Sequence, residues 1–385
     1  MLEKLFDNRN IIKNSHYIVV CCLLFIGFFV RTIGFSSFPS GLNQDEASIG
    51  YEAYSILSTG IDRNGNSLPI HLVSWGSGQN ALYAYLSIPF ISFFGLNAFS
   101  VRIVNLIFSC ITLVIFYLLF KLIFDKRKAL VALAILAICP WSIMSARWGL
   151  ESNIFPALFL LSVYFLIKSI YSSNLYFLIS FLFLGISLYS YGTSYLIVPL
   201  FLLFTIPYLI HTKNKSLKNC LVGLAILLVI SLPIAVFLII NHFDLPQLQI
   251  SNITIPRLDS NRTSVIFNLF TSNFLSTITQ NSLRLLNIFI SQSDGNSYNV
   301  IPSFGTIYGI SLPFFIIGLY NVHKHKKYKD KIHHYIFYVW IICSILLGMT
   351  SHVNINRLNI LFIPMLYFVV LGIFDVNIAL KSEFR

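Results

Sequence analysis

Residues 81–128 read ALYAYLSIPFISFFGLNAFSVRIVNLIFSCITLVIFYLLFKLIFDKRK. The second half of this stretch holds no charge from Ile103 to Phe120 and closes on Lys121 and the cluster Asp125–Lys128. A bilayer core about 30 Å thick needs roughly 20 apolar residues per helix, so 103–124 is read as a span. The first half is just as apolar but is broken by Pro89 and Gly95. Whether it crosses decides the sidedness of everything after it. Lys and Arg collect on cytoplasmic loops. With 81–99 kept out of the count, ten segments span: about 16–36, 103–124, 129–146, 153–171, 175–190, 194–210, 219–240, 305–322, 333–350 and 358–378. Both termini then lie inside. The cytoplasmic pieces and their span ends hold 18 of the 26 Lys and Arg, including every lysine. An eleventh span at 81–99 would put Asp125–Lys128 outside and invert the downstream segments as far as the lysine-rich loop. The stretch is therefore expected to lie on the external face as an interfacial or re-entrant helix. The expected fold class is all-α: a polytopic transmembrane bundle of about ten spans, with amphipathic surface helices in its first external loop.

The rest of the composition agrees. Of 385 residues, 56% are hydrophobic and 10% charged, and the mean hydropathy is +0.78. Soluble chains average about 25% charged, and so little charge cannot cover a water-exposed surface. This excludes a soluble enzyme, a disordered chain and a nucleic-acid-binding domain. The net charge of +12 sits on the cytoplasmic side, where it serves as an insertion signal and calls for no nucleic-acid partner. The six cysteines lie mostly in apolar runs at irregular spacing and suggest neither a disulfide framework nor a metal cluster. Outside, 8 arginines face 8 acids. Arginine is the residue suited to forked binding of phosphate.

Two external stretches are long, about 36–101 and 241–304, and loops of that length are usually functional or contain their own elements. The first holds FPSGLNQDEASIGYEAYSILSTG (38–60). Asn43 can cap a helix whose first turn carries Asp45 and Glu46, and Gly60 can end it. Asp45 and Glu52 then lie two turns apart on one side, with Glu46 about 100° away. Ala47, Gly50, Ala53, Tyr54 and Leu57 form a stripe suited to lying on a bilayer. A carboxylate held at that boundary is partly desolvated, which raises its basicity and suits it to deprotonate a hydroxyl. The same two acids also favour a helix N-terminus through its dipole, and the residues alone do not separate these roles. The second long stretch reads as one or two amphipathic surface helices followed by a turn-rich segment.

The residues DEASIGYEAYSILSTGIDRNGNSLP (45–69), then LYAYLSIPFISFFGLNAFSVRIVNLIFS (82–109), resemble the first external loop of the GT-C glycosyltransferases. The likeness is to the branch of protein O-mannosyltransferases and lipid A aminoarabinose transferases. That superfamily has an acidic pair after the first span, two helices lying flat on the membrane, and an F-S-x-R segment opening the second span, here Phe99–Arg102. PWSIMSARWGLESN (140–153) is similar to its third-span exit. The resemblance covers most of the chain in layout and about residues 31–155 in motif. It implies a transfer of sugar from a polyprenyl-phosphate carrier to a lipid, glycan or protein acceptor on the external face of the plasma membrane. Asp45 would be the general base, with Glu46 as its neighbour or substitute. Arg31, Arg147 and Arg357 are candidates to hold the donor phosphate, and Glu151 to support them. Each has a second reading: Arg31 can snorkel to headgroups, Arg147 can pair with Glu151 four residues on, and Arg357 can anchor the last span. Arg102 is expected to anchor span two. A divalent metal is left open and unsupported, because Asp45 with Glu46 cannot complete an octahedral site, although Glu151 could join them. The resemblance divides the chain into a catalytic module at 1–240, a second external loop at 241–304 and a three-span segment at 305–385. Many family members continue into a soluble external domain. This sequence stops soon after its tenth span, so acceptor recognition is expected from the loops or from a partner.

Two other classes compete: a polysaccharide polymerase or ligase of the O-antigen type, and a lipid-linked sugar flippase. The former usually places its large loop late and has no acidic surface helix after span one. The latter keeps ionisable residues near mid-membrane and often shows repeated halves. Here the span centres carry almost no charge, and the external charges cluster at one face.

Overall fold

The structure is a computed structural model describing residues 8–75, 77–260, 274–296, 299–301, 303–324, 331–351 and 353–383. It is helical, with two small hairpins. In chain order the elements are α1 (Asn8–Thr32), α2 (Gln44–Thr59), β1 (His71–Ser74), β2 (Ser77–Asn80), α3 (Leu82–Phe94), α4 (Ala98–Ile123), α5 (Lys126–Ile138), α6 (Pro140–Ala146), α7 (Glu151–Tyr171), α8 (Asn174–Ser187), α9 (Ser194–His211) and α10 (Leu217–His242). Beyond them come β3 (Leu248–Ile250), β4 (Ile253–Ile255), α11 (Phe274–Ser291), α12 (Ser311–Lys324), α13 (Ile332–Thr350) and α14 (Asn359–Glu383).

Among the described residues seven helices are long and apolar enough to cross a membrane: α1, α4, α7, α9, α10, α13 and α14. The pair α5–α6 makes an eighth if its 57° bend, set at Pro140, lies within one crossing. The two remaining expected spans, 175–190 and 305–322, fold as α8 and α12, each of 14 residues. At 1.5 Å per residue these are about 21 Å long, short of the hydrocarbon core. The 81–99 stretch folds as α3, whose 13 residues are likewise too short to cross, ending at Gly95 (φ +74°).

The main core gathers buried residues of α4, α5, α7, α8, α9, α13 and α14. A second, smaller core joins α2, α3 and the outer part of α4 through Ile49, Ala53, Ile56, Tyr83, Ala84, Ile91 and Val104. Two glycines set the tightest crossing. A Cβ at Gly318 of α12 would run into the Phe368 carbonyl oxygen of α14, and one at Gly372 into that of Phe314. Small residues allow such close approach of membrane helices. Gly372→Val is therefore expected to force α12 and α14 apart at a cost of roughly 3 kcal/mol. Thermal unfolding in detergent checks this, and a midpoint equal to wild type would refute it.

Candidate active site

Local chemistry sets the first helix of the site. Asn43 accepts from the Glu46 N–H (2.8 Å), the Glu46 carboxylate accepts from the Asn43 N–H (3.0 Å), and Gly60 closes α2 at φ +73°. This is a capping box followed by a left-handed C-cap. Asp45 is exposed and Glu46 fully buried.

Glu46, expected beside Asp45 as a catalytic neighbour, has a different task in the fold. Arg102 of α4 grips it with a fork, Nε to Oε1 at 2.8 Å and Nη2 to Oε2 at 3.0 Å. The Gly149 N–H donates to Oε1 at 2.7 Å. Arg102 itself is fully buried and donates to the carbonyls of Ser36, Pro39 and Gly41. The carboxylate is thereby occupied by four donors, and it pins α2, α4 and the link before α7 into one corner. Gly149 must be glycine here, since a Cβ would lie 2.9 Å from Val101 and 3.2 Å from Glu46 Oε1. The stripe expected to face the bilayer is split. Gly50 and Ala53 are buried together with Glu46, Ile49 and Ile56, while Ala47, Tyr54 and Leu57 stay exposed. Burial against α3 and α4 decided which side turned inward.

With that corner fixed, three of the expected site residues gather around a fourth. The Tyr191 hydroxyl, in the link between α8 and α9, is hydrogen-bonded by Arg357 and lies within the electrostatic reach of Glu151 and Asp45. Burial raises its pKa to about 12 against the opposing effect of Arg357, so it stays protonated and able to donate. Each residue is held by its own segment. Glu151 opens α7. Two residues on, Asn153 bridges to Asn359 (2.8 Å), which also accepts from Trp141 Nε1 (2.7 Å). Arg357 follows a turn closed by Asn354, and the neighbouring Ile355 N–H donates to Asp294 at 3.0 Å. The link carrying Tyr191 is tied to β2 and α3. Asn80 donates to the Leu188 carbonyl (3.1 Å) and the Tyr195 hydroxyl (2.8 Å), and the Leu82 N–H donates to Tyr189.

The other two arginines lie elsewhere. Arg31, expected at the donor phosphate, is fully buried, and its donors reach Ser109, Ser142 and the carbonyls of Gly27, Leu136 and Ala137. Pro140 has no N–H for Leu136, and the Trp141 N–H turns to Thr306, so Arg31 satisfies carbonyls exposed by the α5–α6 bend. Arg147 is half-buried and donates to the carbonyls of Val30 and Ile33 at the end of α1. Among the described residues, no three His, Cys, Asp or Glu stand close enough together to hold a metal ion. Arg102, expected to anchor span two, is the partner of Glu46, whereas Tyr191 and Asn80 were not among the expected site residues.

Solved proteins of the same shape are known. ArnT from Cupriavidus metallidurans superposes with a TM-score of 0.59 in its apo state and 0.57 when bound to undecaprenyl phosphate. Identity is 11% in both, over 94% and 93% of this chain and 59% of that one. An Archaeoglobus fulgidus oligosaccharyltransferase, tethered to an acceptor peptide containing the NVT sequon, superposes with 0.61 at 15% identity, over 96% of this chain and 50% of that one. The chain shares the fold of these proteins. It spans 50–59% of their length. The sequence profile of the family described as dolichyl-phosphate-mannose-protein mannosyltransferase matches residues 81–239, from the end of the first hairpin to α10. No curated protein matches the chain by sequence.

Proposed function

We propose that the chain is an integral membrane glycosyltransferase, moving a sugar from a polyprenyl-phosphate carrier to an acceptor hydroxyl on the extracytoplasmic face of the plasma membrane. The observation that carries this reading is the convergence of an exposed carboxylate (Asp45), a second acid (Glu151), a protonated tyrosine hydroxyl (Tyr191) and an arginine (Arg357) from four separate segments. The fold shared with ArnT, whose complex holds undecaprenyl phosphate, supports the donor class. Lysines before α1 and after α4, with α1 and α4 as successive crossings, support the side of the loop that carries Asp45.

The chemistry asks little more. Asp45 takes the proton of the acceptor hydroxyl as its oxygen bonds to the anomeric carbon. The bond from that carbon to the carrier phosphate breaks, and the phosphate leaves with the bonding pair. Charge grows on the departing phosphate oxygens, where the Arg357 guanidinium and the Tyr191 O–H stabilise it. Glu151 can accept from hydroxyls of the bound sugar. Attack opposite the leaving group inverts the anomeric centre.

Purified protein given a panel of radiolabelled polyprenyl-phosphate sugars with membrane-extract acceptors tests the reading directly. Label is expected to leave one carrier for a product insoluble in lipid solvents. Retention of every label on its carrier, with scrambling between leaflets, would replace the enzyme by a flippase. Arg357→Ala is expected to slow transfer roughly 100-fold, and Arg357→Lys to recover only part of it because the fork is lost. Initial rates at saturating donor separate the two, and a wild-type rate for Arg357→Ala would remove Arg357 from the phosphate.

A further inference from the structure

The hairpin β1–β2 is unusual for what it buries. His71, Ser74, Ser77, Gln79 and Asn80 are all 5% exposed or less. It is pinned on three sides. The His71 ring stacks on Phe237 of α10 at 4.1 Å. Ser74 Oγ lies 3.2 Å from Ser48 Oγ, one helical turn beyond Asp45. Asn80 holds the α8–α9 link through Leu188 and Tyr195. Gly78 leaves room for the His71 ring, which any Cβ there would strike.

The tip reverses the pattern. Trp75 is 61% exposed and sits at φ +54°, a backbone region that bulky side chains avoid. The other three tryptophans are buried. The Arg63 guanidinium stands 5.8 Å from the Trp75 ring. Arg63 is itself fixed by Glu52, through Nε to Oε1 at 2.8 Å and its backbone N–H to Oε2 at 3.1 Å. Asn64 donates to the Val73 carbonyl at 2.9 Å beside it. Burial raises the Glu52 carboxyl above the usual range, opposed by Arg63. A hydrogen-bonded pedestal thus holds a large aromatic face exposed, at a cost in backbone strain that packing does not explain.

We infer that Trp75, with Arg63, is a carbohydrate-stacking platform that holds a pyranose ring of a glycan acceptor. An indole face offers flat apolar area to the C–H face of a sugar, and the exposed Arg63 and Asn64 near it can bond the ring hydroxyls. Through Ser74 and Ser48 the platform adjoins the turn of α2 that bears Asp45. Its role as an acceptor subsite rests on the glycosyltransferase reading; its ability to bind sugar does not.

Full-length protein in phosphatidylcholine–phosphatidylglycerol nanodiscs, titrated with maltotriose and mannotriose, tests it through tryptophan emission. The expected result is a saturable change with at least one sugar in wild type. It should persist in Asp45→Asn, weaken only a few-fold in Trp75→Tyr when read by calorimetry, and fall roughly tenfold or more in Trp75→Gly. Glycine favours φ +54°, so Trp75→Gly should melt at or above the wild-type temperature, which separates lost binding from lost folding. No response to either sugar, or quenching of Trp75 emission by brominated lipid, would overturn the platform in favour of a lipid anchor. Sugar binding without any transfer from the donor panel would instead count against the transferase reading and leave the platform standing.

Discussion

Asp45→Asn is expected to insert and fold like wild type while losing transfer by a factor of roughly 100 to 10,000, the range that one positioned base contributes. The side chain is exposed, so its replacement leaves no buried gap, and asparagine is of nearly the same size. Losing one negative charge in the first turn of α2 costs about 0.3–1 kcal/mol. Binding of the polyprenyl-phosphate donor should be unchanged, because the proposed phosphate partners are Arg357 and Tyr191. Single-turnover transfer beside a donor-binding assay distinguishes these effects. Wild-type transfer by Asp45→Asn would exclude Asp45 as the base and turn attention to Glu151, the other acid near Tyr191.

Arg102→Ala should fail in a different way. It leaves the Glu46 carboxylate buried without its counter-charge and strips donors from the carbonyls of Ser36, Pro39 and Gly41. Removing one partner of a buried pair costs roughly 3–5 kcal/mol. Arg102→Lys should recover little, since a point charge cannot reproduce the fork. The loss would appear as a lowered melting temperature and as protease cuts within residues 35–60, with transfer abolished as a consequence. A normal melting temperature for Arg102→Ala would mean that the corner is held by something other than this pair.

The contrast between these neighbours also marks how far sequence could reach. The limits of α2 were legible because caps are local: Asn43, Glu46 and Gly60 act within a turn of their own backbone. The division of labour between Asp45 and Glu46 was not. It depends on Arg102, 56 residues away, and on the Gly149 N–H, 103 residues away. The surroundings of Arg31 were hidden for the same reason, its partners being carbonyls at a bend in α5–α6 that no local pattern announces. Of the ten expected spans, seven fold as helices long and apolar enough to cross and an eighth as the bent pair α5–α6, while α8 and α12 fold shorter than a full crossing. The gathering of Glu151, Tyr191 and Arg357 could not be read from spacing at all, because three separate links carry them.

The burial of Arg31 orders the biogenesis of the chain. As α1 leaves the translocon its guanidinium, in the last turn, has only its own Gly27 carbonyl nearby and must reach for the polar interface. Ser109 arrives with α4, and Leu136, Ala137 and Ser142 only with α5 and α6. The first helix therefore cannot settle at its final depth until more than a hundred further residues have been synthesised, and nascent chains arrested before residue 142 should hold it shallow and exchangeable.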